Sequence, residues 1–271
     1  MRPIIAVLVC SLVAAQASCA RAGVVIGSGS PGATSDEAIQ TEPVKELRKG
    51  VDAWPLIANP GSAAARRVNG NLTRLNLRLA KALRDCDADY LQWEKQTGNA
   101  PNPVADDWSR RVVVTMSGPR YLSLVASDET FCGGAHPEED QMAMVFDMTT
   151  GAAVNWMALV AKSSGAKATT DSAADGSRIG ALALPALIKM LMAGADADCM
   201  DAFENPQAFL LWPDAEKDVL VAQAFDLPHA VAACANELDL TMDQARQLGF
   251  NERLLDAIEE AHHRIASEPK H

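Results

Sequence analysis

The sequence predicts an α+β protein: a mostly antiparallel sheet, a β-meander, packed by a long helix from the N-terminal half and by helices at the C-terminal end. Three observations carry this. Leu72, Leu75, Leu79, Leu83 and Cys86 recur at steps of three and four, which is one face of a helix. Within 109–160, β-branched and apolar runs are separated by Gly118-Pro119 and Thr149-Thr150-Gly151, the punctuation of linked strands. Near the end, Thr241-x-x-Gln244 fits a capping box, and Asn251 can cap a helix carrying Leu254, Leu255, Ile258 and Ile265. Strands grouped in one part of the chain and helices in others read as α+β.

Residues 1–22 have the parts of an export signal. Arg2 precedes an uncharged run over 4–15, and small residues cluster around Ala17, Ala20 and Ala22. The run is too short for an ordinary membrane span, and no later segment is long and apolar enough for one. Cys19 raises a lipid anchor, but Gln16-Ala17-Ser18 lacks the Leu usual three positions before a lipidated cysteine, which favours a free periplasmic or secreted protein. Residues 23–49 then read as a flexible Gly-, Ser- and Pro-bearing leader, 50–240 as the α+β module, and 241–271 as a helical extension.

Within the module, Trp54-Pro55-Leu56-Ile57 reads as a short strand broken by Pro60-Gly61. The helix follows over 62–87, its Arg74, Arg78, Lys81 and Arg84 lying off the apolar stripe as a solvated basic side. Strands are expected near 111–116, 121–125 and 142–148. A polar loop is expected over 162–176, and helical signal over 177–193, where Pro185 either kinks the helix or starts it. Short strands near 210–212 and 219–222 flank a Pro213-Asp214 turn.

Cysteine count agrees with export. Outside the signal region four remain, Cys86, Cys132, Cys199 and Cys234, and an even number in an exported chain favours disulfides. Cys86–Cys132 and Cys199–Cys234 are the expected pairs, since each joins neighbours within one half of the chain. None has CxxC spacing, so no metal site is expected of them. With 24 Lys and Arg against 35 Asp and Glu, the net charge is −11. That opposes binding to nucleic acid or anionic lipid and is compatible with a basic partner.

Chemistry-bearing residues are densest over 128–140: Asp128, Glu129, Cys132, Gly133, Gly134, His136, Glu138, Glu139 and Asp140. His136 with Asp128 or Glu129 could form an acid–base pair, because imidazole titrates near neutrality and a carboxylate tunes it. The same residues could bind a cation, and Gly133-Gly134 could let a ligand approach the backbone. Against these stands a glycine turn with a solvated acidic loop, anchored at one end by a disulfide. Elsewhere the signals are thinner. Asp196, Asp198, Asp201 and Glu204 fail the calcium-loop pattern, because Met200 and Asp201 occupy ligand and glycine positions. His262-His263 point about 100° apart on a helix, and His229 is a lone loop histidine. Asn71-Leu72-Thr73 matches a glycosylation acceptor. No G-x-S-x-G, H-E-x-x-H or P-loop occurs, and no cofactor or metal is expected.

Cys132-Gly133-Gly134-Ala135-His136-Pro137, with Asp147-Met148-Thr149-Thr150-Gly151 downstream, resembles the Gly-Gly-Ala-His … Asp-x-x-Thr-Gly signature of an extracellular domain family found in RsiV-type anti-sigma factors and in PdaC-type peptidoglycan deacetylases. Trp54-Pro55 followed by Asn69-x-x-Leu72 resembles the opening of the same module, so the resemblance covers about residues 50–235. It implies an α+β fold and an envelope role: RsiV-type members sense lysozyme by binding it, and in PdaC-type members another domain does the chemistry. The family histidine falls on His136.

The expectation is therefore an exported, non-catalytic envelope-binding protein, with a lysozyme-like basic protein or a peptidoglycan fragment as ligand. Its expected ligand-binding residues are Asp128, Glu129, Gly133, Gly134 and His136. The competing expectation is a secreted hydrolase or metal-dependent enzyme built on His136 and the carboxylates around it.

Overall fold

The computed structural model describes residues 38–98, 108–172, 178–203, 208–225, 227, 231 and 234–267. All belong to the second of two compact units, Ser35–His271; the first is Met1–Thr34. The expected export signal with Cys10 and Cys19, the start of the expected leader, and Glu204, His229 and His271 lie outside the described residues.

The fold is α+β, as expected. The short strands β1 (Thr41–Glu42) and β2 (Leu56–Ile57) pair with each other ahead of the helix α1 (Ala63–Thr97). An antiparallel sheet follows, in the order β3 (Trp108–Ser117), β4 (Tyr121–Thr130), β5 (Glu138–Asp147), β6 (Ala152–Ala153). A second antiparallel sheet has the order β11-β10-β9-β8-β7, from β7 (Lys167–Ser172), β8 (Arg178–Ala183), β9 (Ala208–Asp214), β10 (Val219–Phe225) and β11 (Glu237–Leu240). Between β8 and β9 lie α2 (Pro185–Gly194) and a 3-10 turn over Ala197–Phe203. The chain closes with α3 (Met242–Gln247) and α4 (Glu252–Ser267).

Helix α1 begins where the Ser62 hydroxyl accepts from Ala65 N at 3.0 Å, and ends at Gly98, whose φ of 68° turns the chain while its N–H donates to Glu94 O. It runs ten residues past the expected end at 87. Its last turns bury Tyr90 and set Tyr90 and Trp93 edge-on to Phe131, at ring-centroid distances of 5.9 and 5.4 Å. An aliphatic stripe that changes to aromatics hides this continuation from a leucine period.

Two asparagines explain the sequence signature at the front of the module. Asn69 accepts from Ile57 N and donates to Ile57 O, at 2.8 and 2.9 Å. Asn76, two turns on, does the same to Trp54, at 2.7 and 3.0 Å. Each amide supplies the donor and acceptor that a neighbouring strand would offer, so the helix stands in for a strand beside 54–57.

Several expected loops are regular structure. The acidic segment 128–140 is divided: Asp128, Glu129 and Thr130 end β4, Glu138, Glu139 and Asp140 begin β5, and only the turn between them is irregular. The polar segment 162–176 contains β7, and β8 occupies the start of the expected helix 177–193. Pro185 starts α2 rather than kinking it, since its missing N–H is not needed at a helix start. The β9–β10 turn falls after Asp214, with Pro213 still in the strand. From residue 38 onward the expected leader is part of the fold, through β1 and the Arg48–Asp87 ion pair at 2.8 Å.

Both expected disulfides form. Cys86–Cys132 ties α1 to the turn after β4, and Cys199–Cys234 ties the 3-10 turn to the segment after β10. The capping box at Thr241 and Gln244 and the Asn251 cap are present. Helix α4 packs on the sheets through buried Leu254, Leu255, Ile258 and Ala261, so the C-terminal helices belong to the core. Among the described residues no helix is long and apolar enough to cross a membrane.

Candidate functional site

Strand β4 locates the site. Tyr121 to Ala126 are buried on both faces of the strand, because α1 covers one side of the first sheet and β9 crosses the other. From Ser127 onward burial alternates: Ser127 and Glu129 are exposed, Asp128 and Thr130 buried. The cover on the second face has ended, while that on the helix face continues. The result is a cleft of about 820 Å³ between the two sheets, in the size range of ligand sites.

Its floor is two cross-strand rows, Ser109–Glu129–Glu139 and Arg111–Ser127–Gln141, brought into line by the β3–β4–β5 register. The facing wall comes from the second sheet and the chain after it: Leu210, Gln223, Ala224, Phe225, Leu227 and Ala235. Gln223 is itself held by Ala235 O, to which Nε2 donates at 3.0 Å. One wall is therefore polar and rich in carboxylates, and the other largely apolar. Glu129 and Glu139 stand directly opposite on neighbouring strands, a pairing that favours a cationic or strongly hydrogen-bonding guest.

Asp128 and Glu129 both border the cleft, but the alternation along β4 turns their side chains to opposite faces, that of Glu129 toward the second sheet. Asp128 points to the helix face, where its side chain is 2% exposed and accepts from Arg110 Nη1 at 2.9 and 3.2 Å and from Trp108 Nε1 at 2.7 Å. Arg110, wholly buried, also stacks over Trp54, with Cζ 4.8 Å from the ring centroid. Asp128 is thus engaged by a structural cation.

His136 is exposed on the turn, with Nδ1 3.2 Å from Pro137 O. Gly133 and Gly134 take φ of 96° and 131°, and a Cβ on Gly133 would lie 2.6 Å from Trp93 Cβ. Gly133 therefore lets the disulfide-bearing turn close on the aromatic end of α1. Gly151, in the second motif, would place a Cβ 2.3 Å from Ala64 O. Gly133 and Gly151 thus seat turns against the two ends of α1. Asp147 shapes the second turn by accepting from Thr149 N at 2.7 Å and from its hydroxyl.

Among the described residues no group of three or more His, Cys, Asp or Glu side chains is arranged to hold a metal ion. His262, on α4, is half-buried, with Nδ1 2.9 Å from Ala215 O. Asp196 and Asp198 are exposed at the 3-10 turn. The residues that sequence reading missed are Ser109, Arg111, Ser127 and Gln141 on the floor and Phe225 and Leu227 on the wall. The floor residues sit at i and i+2 in β3, β4 and β5, a visible period once those strands are given their full length. The wall depends on how the second sheet is placed.

No family model matches the chain, and no curated protein matches it in sequence. Among solved structures, the chain is similar to a member of the DUF3298 family from Bacteroides fragilis, at 10% identity and a TM-score of 0.43, over 79% of this chain and 82% of that one.

Proposed function

We propose that this is an exported, non-catalytic binding protein of the cell envelope, and that its ligand docks in the inter-sheet cleft. The observation that carries the reading is the cleft itself, with Glu129 and Glu139 beside Arg111 on one side and a largely apolar wall on the other. This excess of carboxylates suits a basic protein surface such as that of lysozyme, and the net charge of −11 would steer such a partner inward. A peptidoglycan fragment is the second ligand; the hydroxyl and amide groups of Ser109, Ser127 and Gln141 facing Phe225 suit a saccharide with polar edges and an apolar face. The motif resemblance to RsiV-type and PdaC-type modules supports an envelope role, and two disulfides suit an oxidising compartment. The hydrolase alternative pairs His136 with Asp128, Glu129, Glu138 or Asp140; of these, Asp128 is already engaged by Arg110 and Trp108.

Retention of the immobilised protein on lysozyme and on purified peptidoglycan, at low and high salt, tests the proposal. Glu129→Gln with Glu139→Gln is expected to weaken lysozyme binding about tenfold or more, equivalent to about 1.4 kcal/mol, and salt is expected to weaken it further. Absence of binding to both probes at low salt, or binding indifferent to the two substitutions, would overturn the cleft as the site.

A further inference from the structure

The two edges of the first sheet are covered very differently. On β3, Arg110 exchanges backbone bonds with Gly50 and Asp52, the Asp52 carboxylate accepts from Val112 N at 3.0 Å, and Thr115 O accepts from Ala215 N. On β5, the short β6 pairs only with Phe146 and Asp147, and Val145 O accepts from Val154 N at 2.8 Å. In an antiparallel strand the N–H and C=O of one residue point to the same side, and successive residues alternate. Val145 faces outward, so Ala143, Gln141 and Glu139 do too. Glu138, Glu139 and Asp140 are charged, and Gln141 N donates to Asp140 Oδ1 at 3.1 Å, devices that blunt an edge against further strands. Between the blunted stretch and the β6 cover, no described residue pairs with the outward backbone N–H and C=O of Ala143.

That gap opens into a second pocket, of about 320 Å³, which shares no lining residue with the cleft. Its apolar lining includes Leu75, Met144, Phe146 and Trp156, and α1 contributes Asn71, Arg74 and Arg78. Arg74 and Arg78 are one turn apart and exposed, and among the described residues no carboxylate pairs with either. Arg74 donates to Asn71 Oδ1, which holds it at the pocket. Two arginines beside an apolar pocket, with no carboxylate partner among the described residues, offer positive charge to an anionic guest.

We infer that this pocket binds the carboxylate end of a peptide: one amide bonded to the Ala143 edge, a terminal carboxylate held by Arg74 and Arg78, and an apolar last side chain among Met144, Phe146 and Trp156. The three features call for three groups that a peptide C-terminus carries at adjacent positions, and a single added residue on a sheet edge is the smallest form of strand addition. A free N-acyl amino acid has the same chemistry as a protein's last residue, so the test separates the two.

The full chain, expressed in an exporting host and labelled with 15N, is titrated with acetyl-Ala-Xaa carrying a free carboxylate, where Xaa is Leu, Val or Phe, and with the matching C-terminal amides. Saturable shifts of the Ala143 amide and the Trp156 indole are expected with at least one free acid. Its amide should bind about tenfold more weakly or worse, and Arg78→Gln should lose a similar factor. Arg78 is exposed, so that variant keeps the fold. Ala143→Pro, which removes one edge N–H, should weaken binding with the arginines intact. A longer acetylated peptide with the same last residue that binds more tightly than the acetylated amino acid marks a protein C-terminus as the source; equal affinity marks a free acylated amino acid. No saturable shift with any of the three acids, equal binding of acid and amide, or an unaffected Arg78→Gln variant would overturn the inference.

Discussion

Substituting Asp128 by asparagine should be among the most damaging single changes in the first sheet. Arg110 and Asp128 face each other across β3 and β4, with side chains 0% and 2% exposed. Asp128→Asn keeps the shape, and the new amide oxygen can still accept from Trp108, but the Arg110 cation loses its counter-charge. Among the described residues Arg110 Nε and Nη2 have no hydrogen-bond partner, so the guanidinium has little else to fall back on. Stacking on Trp54 offsets only part of the loss, about 0.5–2 kcal/mol for such a contact. Removing one partner of a buried pair costs about 3–5 kcal/mol. For a protein of this size each kcal/mol moves Tm by roughly 2–4 °C, so Asp128→Asn should lower Tm by roughly 6–20 °C. Thermal unfolding followed by circular dichroism, with urea titration to confirm an unchanged m-value, measures it. Replacing both residues together, Arg110→Met with Asp128→Leu, removes the orphaned charge and should cost less than Asp128→Asn alone. If Asp128→Asn is within about 1 kcal/mol of the wild type, or the double variant is the worse of the two, the pair is not the charge-neutralising unit described here.

Three further outcomes are expected. Gly151→Ala should cost roughly 2–5 kcal/mol, combining a φ of 70° with a Cβ forced onto Ala64 O, and urea unfolding would read it. Replacing Cys86 and Cys132 by Ser, which opens a closure spanning 46 residues, should cost roughly 4 kcal/mol on the chain-entropy estimate; an unchanged urea midpoint would refute a stabilising role for the link. The chain has two tyrosines, and burial raises the Tyr121 pKa above 10.0, partly opposed by Arg253. In a Tyr90→Phe variant the remaining phenol should therefore ionise later than a free tyrosine in an ultraviolet titration. Stability linked to Tyr121 is fully present below about pH 10 and lost as pH rises through the folded pKa, a loss that Tyr121→Phe should remove.

Local patterns made much of this fold legible. The Leu72–Leu75–Leu79–Leu83 stripe, the Thr241 capping box and the Asn251 cap each depend on residues a few positions apart, and each appears in the structure as expected. The disulfide pairs also followed from proximity along the chain. Strand ends are less legible because a run of charge has the composition of a loop. Asp128, Glu129, Glu138 and Glu139 looked solvated, yet backbone pairing holds them in β4 and β5, and only one of the first two is exposed. The segment 178–183 carries apolar residues that suit either period, and pairing of β8 with β7 and β9 decided for strand.

By itself, the sequence determined the α+β class, the helix faces, the turn glycines and the cysteine pairs, because each rests on short-range geometry. Tertiary structure alone decided the candidate sites. The cleft exists because the second sheet stops covering β4 after Ala126, and the arginine pocket because β6 stops covering β5 before Ala143. Both depend on where one layer ends over another. That boundary is set by packing between residues far apart in the chain, and no local period records it.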